Sequence, residues 1–236
     1  MRIGLLGYGK MGKEIERIAL ERGHEIAWKI QKENRSTLDE EMLRNADVVI
    51  EFSQPATAVE NILFCVRHKV PVVVGTTGWY AEMDKVRSEV LLQNAGLFYA
   101  TNFSIGVHLF WKLNRELAQW MNGHKAYKAH VEEIHHIHKL DEPSGTGITT
   151  AEKIIEAHTD YDTWALEGKG DGVLPIYSFR EGEVPGTHKV IWQSAEDKIM
   201  IEHEAFGRTG FAKGAVHAAE WIIGKTGIFT MSDMLG

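Results

Sequence analysis

Arg2-Ile3-Gly4-Leu5-Leu6-Gly7-Tyr8-Gly9-Lys10-Met11-Gly12 decides the fold. Five residues of strand character run into a Gly-x-Gly-x-x-Gly turn. The turn opens a helical pattern over residues 10–21, with Ile15, Ile18 and Ala19 on one face and Gly23 as its stop. Glycines so placed permit a tight turn and close backbone approach, which turns amide groups and the helix N-terminus toward a dinucleotide pyrophosphate. Gly7, Tyr8, Gly9, Lys10, Met11 and Gly12 are therefore the first candidate cofactor residues. A plain strand-turn-helix corner is the rival reading; the correct flanks on both sides favour the nucleotide.

Outward from this unit the rhythm repeats. Strand patterns at 2–6, 25–30, 48–52, 70–74 and 97–100 alternate with helical patterns at 10–21, 36–44, 55–67 and 80–93, the signature of βαβ units building a parallel sheet. A longer Leu-, Trp- and Phe-rich helix at 106–122 breaks the rhythm and marks a domain crossing. Beyond it come an extended stretch at 128–136, a loop through Pro143-Ser144-Gly145 and a helix at 147–158. A Gly-rich connection at 168–172 and strands near 174–180, 188–194 and 198–204 complete a mostly open sheet carrying helices. The last helix, 212–225, is apolar enough to pack back onto the first domain. The expected fold is α/β.

The chain has 236 residues, 44% hydrophobic and 25% charged, which excludes disorder and collagen. Its formal charge of -7 has the wrong sign for wrapping nucleic acid or an anionic membrane, so neither is expected as a partner. The glycine-broken N-terminus reads as neither signal peptide nor membrane span. Cys65 is the single cysteine, without a disulfide partner and in an apolar run, and a reducing, cytoplasmic location is expected.

A dinucleotide fold places an acid near the tip of its second strand to hold ribose hydroxyls. Here the tip reads Ile30-Gln31-Lys32-Glu33-Asn34. Gln31 can hydrogen-bond a ribose without repelling a 2′-phosphate, and Lys32 can attract one, so NADPH is expected to serve at least as well as NADH. A solvated loop charge is the alternative for Lys32, and Glu33 beside it can still swing in toward the ribose. Polar clusters follow three further strands, where an open α/β sheet has its ligand crevice: Phe52-Ser53-Gln54-Pro55, Gly75-Thr76-Thr77-Gly78 and Ala100-Thr101-Asn102-Phe103. An isolated Ser or Thr there is commonly only a helix cap. Recurrence at successive strand ends favours a shared pocket for the nicotinamide half.

The densest chemistry is His130-Val131-Glu132-Glu133-Ile134-His135-His136-Ile137-His138-Lys139-Leu140-Asp141-Glu142-Pro143-Ser144-Gly145-Thr146, with four of the twelve histidines in nine residues. A metal site is one reading. On an extended strand, however, His136 and His138 share a face opposite His135, and no cysteine helps, so no metal is expected. A polar strand end with neutral histidines is the second. The third is an anion site with a proton donor: Lys139 as point charge, His135 or His136 titrating near neutrality, and Ser144-Gly145-Thr146 offering amides and hydroxyls at a helix N-terminus. That combination suits a small carboxylated substrate.

Gly9-Lys10-Met11-Gly12, Gly75-Thr76-Thr77-Gly78, residues 102–107 (Asn-Phe-Ser-Ile-Gly-Val) and above all the block from His135 to Thr146 resemble the 4-hydroxy-tetrahydrodipicolinate reductase (dihydrodipicolinate reductase) family. Arg180-Glu181-Gly182, Gly186-Thr187-His188 and Phe211-Ala212-Lys213-Gly214-Ala215 extend the likeness through almost the whole chain. The resemblance implies a Rossmann-like cofactor domain (1–103 plus 209–236) and an inserted α+β substrate domain of mixed sheet (104–208) that forms a homotetramer. It implies NADPH- or NADH-dependent reduction of a cyclic dicarboxylate in the diaminopimelate route to lysine.

By the same resemblance His135 is the proton donor, with Lys139 second choice for that role and first for the substrate's charge. His136 touches the ring or a carboxylate, and Gly145 with Thr146 seats the other carboxylate through the helix N-terminus, beside the Ser144 read above as part of the anion site. Gly75, Thr76, Thr77, Ala100, Thr101, Asn102 and Phe103 hold the nicotinamide side, beside Phe52 and Ser53. Domain closure is expected, with hinges near 101–104 and 207–210. Ile137 departs from the family, which often carries Arg there, and the second-strand loop lacks the expected acid. The rivals are another small nicotinamide-dependent dehydrogenase on this fold and a non-catalytic dinucleotide-binding redox sensor.

Overall fold

In a computed structural model describing residues 1–236, the N-terminal stretch forms strand β1 (Arg2–Leu6), a glycine turn and helix α1 (Lys10–Glu21). The chain continues through β2 (Glu25–Ile30), α2 (Glu40–Arg44), β3 (Val48–Glu51), α3 (Pro55–Arg67), β4 (Val72–Val74), α4 (Met83–Gln93) and β5 (Gly96–Tyr99). Next come α5 (Ile105–Met121), β6 (Lys128–His135), α6 (Gly145–Ile155), β7 (Tyr161–Leu166), β8 (Gly172–Arg180), β9 (Thr187–Gln193) and β10 (Lys198–Glu204). It ends in α7 (Thr209–Ile222), β11 (Gly227–Phe229) and α8 (Met231–Leu235). Two compact units result: Met1–Ser104 with Arg208–Gly236, and Ile105–Gly207.

The first unit carries an all-parallel sheet of order β11-β5-β4-β3-β1-β2. β1 lies between β2 and β3, so the strand order reverses there and the crevice past the strand ends opens beside the glycine turn. Strands buried on both faces need continuous apolar sequence, and Val48, Val49 and Ile50 and then Val72, Val73 and Val74 are all buried. Leu6, Ile30, Ile62, Val66 and Leu97 fill this core together with the buried Cys65. Helix α7 returns along β3, β4, β5 and α1 through Ala212, Ala215, Val216 and Ala219. Its Gly214 lies so close that a Cβ there would stand 1.7 Å from the Phe103 carbonyl oxygen, so only glycine allows the approach.

The second unit is a mixed sheet of order β10-β9-β6-β8-β7, with β6, β7 and β8 parallel and β9 antiparallel to both β6 and β10. Helices α5 and α6 cover it over Phe110, Trp111, Val131, Ile154, Ile176, Val190 and Trp192. The indole of Trp111 donates to Thr150 Oγ1 at 2.9 Å, which meets the polar end of a buried ring. No helix is long and apolar enough to cross a membrane.

Several expectations shift. The strand expected at 128–136 stops at His135, and His136, Ile137 and His138 lie in a turn, so the face-sharing expected of His136 and His138 on a strand does not apply. The helix expected at 36–44 divides into a 3₁₀ turn at Lys32–Thr37 and α2, which Asp39 caps by accepting from Met42 N. The helix expected at 147–158 starts at Gly145.

Candidate active site

The first unit's strand ends are laced together by backbone. Gly7 N donates to Ile30 O (2.8 Å), Phe52 N to Leu6 O (2.7 Å), Gly75 N to Glu51 O (2.9 Å) and Ala100 N to Val74 O (3.2 Å). Gly7 sits at φ +93°, and a Cβ on it would meet the Phe52 carbonyl oxygen at 2.0 Å. Gly12 packs against Gly7 as closely, whereas Gly9, which begins α1, faces open space. The first turn of α1 holds no acid and Gly9 has no side chain to cap it, so its amides suit an anion. Phe52 lies between Gly75, where a Cβ would meet its ring at 2.1 Å, and Phe103, 5.6 Å away between centroids. Thr76 Oγ1 is buried with no hydrogen-bond partner.

These features fit a nicotinamide dinucleotide: open backbone for a pyrophosphate and an unspent hydroxyl at the end of β4. Tyr8, by contrast, donates to Glu16 and lies under the Lys29 ammonium, 4.9 Å from its ring centroid. Ser53 donates to Glu51, so its hydroxyl is engaged. Gln31 and Lys32 are exposed, with Gln31 N donating to Asn34 Oδ1 at 2.7 Å. Lys10, Thr77 and Thr101 are exposed and Met11 half-buried, while Asn102 accepts from Ser104 N at 2.8 Å.

The second unit gathers the histidine block. Ala129, Val131, Glu133 and His135 share the buried parity of β6. His135 closes that strand; the residue is 6% exposed, and its ring is set edge-on to His188, with centroids 5.0 Å apart. Register puts Glu133 opposite Ser178 on β8 and His188 on β9. Glu133 accepts from Ser144 N at 2.8 Å, from Ser178 Oγ at 2.7 Å and from Ser144 Oγ. Ser144 caps α6 by accepting from Gly147 N at 3.0 Å. Its hydroxyl is thus turned inward, leaving the open flank at Gly145, where a Cβ would meet nothing within 4 Å.

The turn after β6 is pinned from β8. Arg180 donates through Nη2 to Asp141 O (2.7 Å), through Nε to Lys139 O (3.3 Å) and through Nη1 to Ser178 Oγ (2.9 Å). Lys139 Nζ reaches both Asp141 carboxylate oxygens at 2.8 Å, and its side chain is 21% exposed. Lys139 also brings its ammonium to the loop that precedes the α6 N-terminus. His136 and His138 stack obliquely, and His138 pairs with Glu183 at 3.0 Å. Ile137 is exposed; the guanidinium nearest the site is Arg180, spent on loop carbonyls.

Burial holds the His135 imidazole below its usual value of 6.5, and the Lys139 and Arg180 cations push the same way against Glu133 and Asp141. Burial drives His188 further, to about 3, with His135 and His203 adding to the fall, so it stays neutral. Donor atoms of Glu133, His135 and His188 lie within 4.8 Å of one another, a spacing that permits a metal ion. Three hydrogen bonds to the carboxylate already engage that group.

Two family profiles cover nearly the whole chain. "Dihydrodipicolinate reductase, N-terminus" matches residues 1–103, and "Dihydrodipicolinate reductase, C-terminus" matches 106–235. This chain belongs to the dihydrodipicolinate reductase family. The 4-hydroxy-tetrahydrodipicolinate reductase of Christiangramia forsetii is 47% identical over 237 residues, covering 100% of this chain and 98% of that one. The enzyme of the same name from Syntrophotalea carbinolica is 36% identical over 85% of this chain and 77% of its own. Among solved structures, the dipicolinate-bound dihydrodipicolinate reductase from Paenisporosarcina sp. TG-14 superposes with a TM-score of 0.80 at 21% identity. It covers 98% of this chain and 97% of that one, and so shares the fold.

Within the family's C-terminal region the structure brings together three groups that the sequence reading leaves without a role: Glu133, Arg180 and His188. A signal for the first was available. Glu133 has the same strand parity as Ala129 and Val131, and a carboxylate on an apolar parity needs partners. Arg180 and His188 become visible only once β8 and β9 flank β6.

Proposed function

We propose that the chain reduces 4-hydroxy-tetrahydrodipicolinate to tetrahydrodipicolinate with NADPH or NADH, in the diaminopimelate route of lysine biosynthesis. The observation that carries this reading is one loop of the second unit. Within it a buried imidazole at the end of β6, an ammonium at Lys139 and the first turn of α6 follow one another across eleven residues. The balance is substrate, reduced nicotinamide and one proton in, and product, oxidised nicotinamide and water out. When bound, the cofactor supplies the hydride. Lys139 and the Gly145-Thr146 turn orient the two carboxylates, with His136 beside the ring. His135 delivers the proton as electron density moves onto the imine side, and Lys139 is the second choice for that step.

The cofactor binds along Gly7 to Gly12, with Phe52 and Ser53 and the Gly75-Thr76-Thr77 and Ala100-to-Phe103 turns on its nicotinamide side. NADPH is accepted at least as well as NADH, because Gln31 and Lys32 present no carboxylate at the β2 tip. The test follows absorbance at 340 nm with freshly made substrate and each cofactor. Steady oxidation with kcat/KM for NADPH at or above that for NADH is the expected result. A strong NADH preference would sink the cofactor assignment, and no oxidation with either would favour the redox sensor.

The site lies in a cytoplasmic homotetramer built on the second unit's sheet. Supporting this, the edge strand β10 exposes Ile199 (41%) and Met200 (47%), and Phe206 just beyond it is 91% exposed. Light scattering in solution should give four times the chain mass; a monomeric mass would refute the assembly.

A further inference from the structure

Glu133 has no exposure at all, and a carboxylate in such a place is costly unless its lone pairs are met. They are met by parts of the site. Oε1 accepts from the Ser144 amide at 2.8 Å and from Ser178 Oγ at 2.7 Å, and Oε2 accepts from Ser144 Oγ. The same two oxygens face both buried imidazoles: His135 Nδ1 stands 3.9 Å from Oε1 and His188 Nε2 3.7 Å from Oε2. His188 Nε2 also meets Ser144 Oγ at 3.2 Å. Neither buried Nδ1, of His135 or of His188, has a hydrogen-bond partner. Gly147 completes the fit, since a Cβ there would stand 2.4 Å from Oε2. A helix cap needs only the Ser144 hydroxyl, so capping alone does not account for a buried carboxylate behind it.

We propose that Glu133 is a positioning residue for the reduction: one carboxylate locks the helix turn offered to the substrate and supplies the counter-charge to the His135 imidazole. The proposal rests on the reading of His135 as proton donor and of the Gly145-Thr146 turn as carboxylate seat. The groups facing His135 are Glu133 on its own strand, Arg180 from β8, His188 from β9, and Lys139 and Asp141 from the turn. Two of these are cations, and His188 is neutral. Of the two anions, Asp141 is exposed and shared with Lys139, which leaves Glu133 as the buried one.

Glu133→Gln in the full chain separates the two tasks from a structural one. A proton donor is lost as pH rises through its pKa, so removing the nearby anion should move the basic limb of kcat down by about one pH unit or more. Loosening the Ser144 cap should raise KM for the dicarboxylate about tenfold while KM for the cofactor stays put. A merely structural residue would lower Tm and the active fraction but leave the limb and both KM values unchanged, and that result overturns the proposal.

Ser178→Ala keeps the Glu133 charge while removing the bond that Ser178 Oγ donates to Glu133 and the one it accepts from Arg180 Nη1, which makes it the check if the first variant does not fold. Its substrate KM should rise several-fold with the limb in place, and an unchanged KM again overturns the role. His135→Gln identifies the limb. A limb that survives there ends the donor reading and the counter-charge task with it, while the seating task still stands or falls on the two KM values.

Discussion

His135→Gln is expected to turn over about 10²- to 10⁴-fold more slowly than the parent chain, with cofactor affinity unchanged. Gln keeps a polar, uncharged side chain at the end of β6 but has no acidic proton to give. Cofactor affinity should hold because the proposed cofactor residues belong to the other unit. Burial and the Lys139 and Arg180 cations hold His135 below 6.5, so at neutral pH the imidazole of the free protein is mostly neutral. A bound dianion reverses that balance, because negative charge beside the ring favours the imidazolium. The expected signature is kcat/KM falling with rising pH from below 6.5, while the limb of kcat, which reports the complex, lies higher. Steady-state rates across pH and a cofactor titration by fluorescence check both parts. A variant kcat within twofold of the parent removes His135 from the role.

Much of this architecture is legible in the chain because its strongest signals are local. The β1 turn and α1 are readable since a glycine turn, an apolar strand and a 3.6-residue stripe fall within twenty residues. The crevice is readable because three more strands end in polar clusters. Strand β7 is missed for a physical reason. It is an edge strand with only Tyr161 buried, and its pairing to β8 shifts register between Tyr161 and Thr163, so no period of two survives. Strand β11 has three residues and forms only because β5 offers an edge to pair with.

The site shows the same division. His135, Lys139 and the Ser144-Gly145-Thr146 turn stand out because they fall within one stretch of twelve residues. Their supports do not, since Arg180 grips the carbonyls of Lys139 and Asp141 from about forty positions away, and His188 meets Glu133 by strand register alone. Ser144 illustrates the limit of composition: its hydroxyl reads as a substrate contact, yet it is 3% exposed and spent on Glu133 and Gly147.

Lys139→Ala should raise substrate KM far more than loss of one contact would. Lys139 is held between both oxygens of Asp141, and Asp141 is exposed. Truncating the lysine therefore removes an attractive charge and also bares a carboxylate toward an incoming dianion. A hydrogen bond to a charged group contributes about 1.5–3 kcal/mol, or roughly 10- to 150-fold in affinity, and the bared anion adds to that. The two parts are separable because they respond differently to a second substitution. In Lys139→Ala with Asp141→Asn the repulsion is gone, so part of the KM rise should be recovered, while the lost attraction remains. High salt should recover part of the single variant's defect in the same way, because exposed charges are screened. If KM in Lys139→Ala stays at the parent value, Lys139 does not hold the substrate. If the double variant is no better than the single one, Asp141 is not the repulsive group, and the ammonium acts by direct contact alone.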